Sequence, residues 1–134
     1  MFVCERTGRG DPARAWELMS RPKEWSSWAP HVRGAWGLAD GEVRVGARGY
    51  ARLLGVVPIP ATITEVDPGH SWTWQVGPVE MVHRVDRAAD GCTVAVEISA
   101  PAPIEAALRI GYRPLVDLLL SRLLSESRKP LLLG

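Results

Sequence analysis

No stretch of this sequence stays apolar for the roughly 20 residues that a membrane-crossing helix requires; the longest candidate, Leu115 to Leu120, is already interrupted by Asp117. No bilayer span is therefore expected. Runs of like charge are equally scarce. The 16 Lys and Arg nearly cancel the 15 Asp and Glu, and no block of about five like charges offers a footprint for a phosphate backbone, which argues against nucleic acid as a partner. Cysteine is limited to Cys4 and Cys92, without Cys-x-x-Cys or Cys/His spacing, so free thiols in a reducing compartment are expected rather than a disulfide framework. His31, His70, His83 and Glu80 lack the short spacings of a metal site. No Gly-x-Ser-x-Gly elbow, phosphate-binding loop or dinucleotide fingerprint occurs, which removes the usual hydrolase, nucleotide and nicotinamide classes. Met1 to Arg9 lacks the apolar core of a secretory signal. The expectation is a cytoplasmic protein with no metal and no cofactor.

What is present is an alternation of short apolar runs and turn residues. The 134 residues, 46% hydrophobic and 23% charged, have the length and balance of one domain, expected to span residues 1–134 and able to bury a core unaided. Phe2 to Thr7 reads as a first strand. Asp11 followed by Pro12 marks a helix start, and Ala15, Trp16, Leu18 and Met19 supply its buried stripe. Pro22 opens a second short helix through Trp28, closed by Pro30. Strands are predicted from Val32 to Leu38, Val45 to Leu54, Val57 to Val66, Ser71 to Val76, Val79 to Arg87 and Cys92 to Ala100. Asp40-Gly41, Asp67-Pro68-Gly69, Gly77-Pro78 and Asp90-Gly91 supply turns between them.

Period-two alternation sorts the later strands into faces. Trp72, Trp74 and Val76 share the interior side with Met81, His83 and Val85 and with Val94, Val96 and Ile98. Thr73, Gln75, Arg84, Asp86, Thr93, Ala95, Glu97 and Ser99 share the other side, expected to face water and leave the sheet covered on one face only. The last segment changes period. Ile104, Leu108, Tyr112, Leu115, Leu119 and Leu123 recur at steps of three and four, the stripe of a long amphipathic helix, and Pro114 beside Gly111 predicts a kink or break within it. The expected fold is α+β, a curved antiparallel sheet of about seven strands with two short helices after the first. The long C-terminal helix packs over its concave face around a cavity.

Particular segments carry a family likeness: Ala15-Trp16-Glu17-Leu18 in the first helix, Trp25-Ser26-Ser27-Trp28-Ala29-Pro30 after it, and Val45-Gly46-Ala47-Arg48 at the third strand. Ile63-Thr64-Glu65-Val66-Asp67-Pro68-Gly69 leads into Trp72-Thr73-Trp74, and His83-Arg84-Val85 precedes Asp90-Gly91-Cys92-Thr93-Val94. With these segments in this order, the chain resembles the START-related polyketide cyclase/dehydrase (SRPBCC) superfamily of helix-grip proteins over nearly its whole length. That resemblance implies a deep cavity between sheet and helix that takes sterols, lipids, aromatic polyketides or plant hormones in different members. It implies no single activity, since some members transform polyketide chains and many only carry ligands.

The candidate ligand-binding residues are Trp28, His31, Trp36, Trp74, Met81, His83, Leu108, Tyr112 and Leu115. His83 is the one candidate acid or base, because an inward imidazole can orient a ligand carbonyl or move a proton; the alternative is a structural ring hydrogen-bonded to backbone. Trp28, His31 and Trp36 flank Pro30 near the expected mouth, while Trp16, Trp25 and Trp72 read as volume fillers. Tyr112 offers a hydroxyl from the side opposite His83. His70, in a turn, is expected to be exposed and freely titrating, and Tyr50 to face solvent. Three functions compete: carriage of a small hydrophobic or aromatic molecule, a cyclase or dehydratase using His83, and a dimeric interaction module with a filled, vestigial cavity. In the last, Leu131 to Leu133 or an edge strand meets a second copy.

Overall fold

The computed structural model describes residues 1–25, 41–51 and 58–128 together with the backbone of 35–36. Strand β1 (Phe2–Gly8) leads into helix α1 (Pro12–Ser20) and a 3₁₀ turn (Pro22–Glu24). Asp11 caps α1 through a 3.1 Å bond from the Ala13 amide, and Pro12 fills its first turn, as the sequence signal requires. Next come β2 (Ala35–Trp36), β3 (Arg48–Ala51), β4 (Ile59–Asp67), β5 (Ser71–Val76), β6 (Val79–Ala88) and β7 (Gly91–Ser99). Helices α2 (Ala102–Gly111) and α3 (Arg113–Ser127) complete the described chain.

The strands form one antiparallel sheet in the order β1-β7-β6-β5-β4-β3-β2. Six of them run four residues or more, and β2 adds only two residue pairs at the far edge. Strand β3 starts at Arg48, later than Val45, because Gly46 takes a φ of 89° and turns the chain, leaving Val45 exposed.

Register across the sheet produces two inner rows that matter for function. One row reads Phe2, Ile98, Met81, Trp74, Ile63; the next reads Cys4, Val96, His83, Trp72, Val66. A bulge at Thr64, between the Ile63 and Glu65 pairings, returns Val66 to the inner face. Helices α1 and α3 cover this face. Ala15, Trp16, Leu18 and Met19 of α1 and Val116, Leu120, Leu123 and Leu124 of α3 are buried in the same core as the strand residues.

The long C-terminal helix is in fact two. The Tyr112 amide makes the last bond of α2, to Leu108 at 2.8 Å, and the Tyr112 carbonyl accepts the first of α3, from Val116 at 3.0 Å. Pro114 has no N–H to return to the preceding turn, so it sits in the first turn of α3 instead. The break falls where Gly111 and Pro114 predict it. It also offsets the apolar stripe: Leu108 and Leu123 are buried, whereas Leu115 and Leu119 lie on its flank and Ile104 is exposed. Leu108 is the one buried residue of α2.

Two further expectations are corrected. The outer face is not uniformly wet, since Thr73 and Ala95 are buried there. Ala95 pairs with both Arg84 and Glu5, whose side chains approach to 3.8 Å, so its methyl lies beneath long charged neighbours. His70 is not a free turn residue: its Nε2 lies 2.7 Å from Asp86 and its Nδ1 3.2 Å from Asp67, because the β5–β6 pairing brings Asp86 back beside the turn.

Candidate functional site: an aromatic cluster on the inner sheet face

Strands β5 and β6 pair Trp72 with His83 and Trp74 with Met81, which puts three rings side by side on the inner face. The His83 imidazole lies flat on the Trp72 indole, with centroids 3.8 Å apart and planes 7° from parallel. Trp72 also stacks with Trp25, at 5.9 Å and 10°. Trp74 stands edge-on to this stack, at 80° to Trp25, 81° to Trp72 and 79° to His83. Such edge-to-face contacts suit the quadrupole of each ring and add to the area they bury.

Burial drives the His83 pKa down to about 4, only partly opposed by its hydrogen bond with the Trp72 carbonyl. The ring is therefore neutral near pH 7. Its Nδ1 lies 3.3 Å from that carbonyl; a carbonyl only accepts, so this contact places the proton on Nδ1 and leaves Nε2 as an acceptor. Tyr112, at the α2–α3 break, packs on the same core. Burial, with the neighbouring Cys4 thiol, pushes its pKa up to about 12. Cys4 is raised as well, first by burial and then by Asp117, with Arg113 opposing. Both groups keep their protons near neutrality. Cys4 and His83 flank Val96 in one row, which puts them two strand spacings, roughly 10 Å, apart.

The four indoles whose side chains are described differ in how their N–H groups are met. Trp16 donates to Glu42 at 2.5 Å and Trp25 to the Met19 carbonyl at 2.9 Å. Trp72 and Trp74 Nε1 are buried without a hydrogen-bond partner among the described residues. A groove of about 640 Å³ lies elsewhere, at the β1 edge, and is lined by charges such as Arg6, Arg84 and Asp117 rather than by the aromatic cluster.

Of the residues singled out from sequence, Trp74, Met81 and Leu108 are buried, and His83, Tyr112 and Leu115 are partly buried. Met81, Trp74 and His83 come together on adjacent strands; Leu115 stands aside on the α3 flank. Trp28 and His31 lie outside the described residues, and Trp36 is described only through its backbone pairing with Tyr50 in β3. Trp25 and Trp72 fill the core as expected, and in doing so they also form the stack on which His83 rests. The Trp72-Thr73-Trp74 alternation facing His83 carried half of that signal. Nothing in the local sequence of Trp25 carried the rest.

The sheet closed by a C-terminal helical segment, with an aromatic-lined inner face, defines a helix-grip protein of the START-related (SRPBCC) superfamily. Within it, the chain belongs to the family described as polyketide cyclase/dehydrase and lipid transport, whose family model matches residues 5–126. Among solved structures it is similar to protein MLL2253 from Mesorhizobium loti, at 16% identity over 92% of this chain and 93% of that one, with a TM-score of 0.71. The KanY protein matches at 15% identity over 93% and 94% of the two chains, with a TM-score of 0.67. DynU16, a protein of the dynemicin biosynthetic locus, matches at 18% identity over 95% of this chain and 49% of its own, with a TM-score of 0.68. At these identities the likeness is one of fold. No curated protein sequence matches the chain significantly. Among the described residues, no helix is long and apolar enough to cross a membrane.

Proposed function

We propose that the protein binds or carries a small hydrophobic or aromatic molecule, lipid- or polyketide-like, in the interior between the sheet and its helical cover. The observation that carries this reading is the ring cluster itself: Trp25, Trp72, Trp74 and His83 converge on the inner face, with Met81 beside them. Apolar walls with a few fixed polar groups are what a small-molecule site requires. His83 supplies an acceptor at Nε2 and Tyr112 a hydroxyl that keeps its proton, the fixed polar groups of such an interior.

A cyclase or dehydratase using His83 is the second reading, favoured by the inward position of the imidazole and by the family description. Its pKa of about 4 makes His83 a weak base at neutral pH, where proton transfer favours a group titrating near the working pH. That supports carriage over catalysis. Native mass spectrometry of the purified protein, followed by extraction, tests the proposal. A stoichiometric apolar or aromatic compound supports it. A protein that is empty as isolated and takes up no hydrophobic probe refutes it and favours an interaction module.

A further inference from the structure

Trp72 and Trp74 are the largest side chains of the inner face, 2% and 7% exposed, and each has a buried N–H without a hydrogen-bond acceptor among the described residues. Packing alone does not call for these donors, since phenylalanine gives an aromatic wall with none. The two other described indoles both meet their N–H groups, at Glu42 and at the Met19 carbonyl. The orphan pair is therefore a local feature of β5, next to the neutral His83 ring. Buried donors left unmet are costly, and a group that accepts from them recovers that cost.

We propose that the Trp72 and Trp74 indole N–H groups form a donor pair that selects a flat, uncharged ligand carrying an acceptor oxygen, such as a ketone, quinone or lactone. This rests on the ligand-binding reading above and narrows it. Flatness follows from the nearly parallel rings of Trp25, Trp72 and His83, since a planar ring system packs best against planar aromatic neighbours. Absence of charge follows from the surroundings. Two neutral donors in an apolar wall do not offset the desolvation of a carboxylate, and His83, with its proton held toward the Trp72 carbonyl, offers a lone pair that repels an anion. A free fatty acid bound by its carboxylate is thereby disfavoured against a neutral carbonyl compound.

Three ring-matched probes decide this: 9-fluorenone, fluorene and fluorene-9-carboxylate. Titrations use the full chain, read by calorimetry and by the indole N–H signals in a ¹⁵N–¹H NMR spectrum. Trp72→Phe and Trp74→Phe assign these signals. Fluorenone is expected to bind about tenfold tighter than either other probe and to shift the Trp72 and Trp74 signals. Trp74→Phe is expected to bring the fluorenone-to-fluorene ratio toward one. Wild-type spectra give the answer even if a variant misfolds. Equal binding of fluorenone and fluorene, tighter binding of the carboxylate, or unmoved indole signals would overturn the donor pair while leaving ligand carriage intact. Failure of all three probes to bind would overturn the donor pair, and in a protein that is also empty as isolated it would overturn carriage as well.

Discussion

The His83 imidazole and the Trp72 indole lie face to face at 3.8 Å, and the same His83 ring reaches the Trp72 backbone carbonyl through Nδ1 at 3.3 Å. One residue of β5 thus fixes both the plane and the tautomer of one residue of β6. The imidazole is held neutral, and this has a consequence for stability. Unfolding exposes a ring with the ordinary value of 6.5, whereas the folded ring titrates at about 4. Above pH 6.5 neither state is protonated and His83 adds nothing to the pH dependence. As pH falls below 6.5, the unfolded state takes up the proton first and the folded state loses stability until about pH 4. The expected loss is about 2 kcal/mol between about pH 7.5 and about pH 5. Urea unfolding of the wild type at the two pH values should show it, and His83→Phe should flatten it. An equally steep decline in the variant would place the effect elsewhere.

Gly91 and Gly111 should respond oppositely to alanine. A Cβ at Gly91 would lie 2.0 Å from the Gly8 carbonyl oxygen and 2.8 Å from the Arg9 Cα, both backbone atoms that cannot step aside. Gly91→Ala is expected to cost several kcal/mol, on the order of 3, or to prevent folding. A Cβ at Gly111 meets nothing within 4 Å, and its φ is not positive. Gly111→Ala should therefore stabilise by about 0.5–1 kcal/mol and raise Tm by about 3 °C, read by thermal unfolding.

Arg84 anchors the outer face, 2.6 Å from Asp86 and 2.7 Å from Glu97, with Glu5 at 3.8 Å. Burial works against the Asp86 carboxylate, but hydrogen bonds from Arg84 and His70 outweigh it and hold its pKa below the usual range. Arg84→Met should lower stability by about 1–2 kcal/mol at low salt and by less at high salt, where screening has already weakened the network. Ligand affinity should not change, because Arg84 lies on the face opposite the aromatic cluster. A matching loss of ligand affinity would contradict that separation.

Leu108→Ala removes the one buried side chain of α2. A buried leucine truncated to alanine costs about 2–5 kcal/mol when the structure cannot detach around it. Here the break at Tyr112 allows α2 to loosen alone. Hydrogen exchange should show α2 amides losing protection while those of α3 keep theirs; uniform loss across both helices would mean that the break does not uncouple them.

Much of this was readable from the residues. Asp11-Pro12 starts a helix wherever it occurs because the cap and the fixed φ act locally, and Pro114 breaks one for an equally local reason. Alternation placed Trp74, Met81 and His83 on the inner face because side chains in a strand must point to opposite sides. The flank position of Leu115, by contrast, depends on how α3 rolls after the break, and a single helical period misassigns it. The buried Thr73 and Ala95 look exposed in sequence, since nothing local says that Arg84 and Glu5 will meet over Ala95.

The sequence by itself determined the family, the order of the elements and the inner face of each later strand, all consequences of short-range geometry and of segments recognisable in order. Only the tertiary structure decided that Trp25 stacks on Trp72, that His83 is held neutral with its proton on Nδ1, and that two of four described indoles end without an acceptor. Each of those depends on register between strands and on residues far apart in the chain. Distances and desolvation, which exist only once the chain has folded, set them.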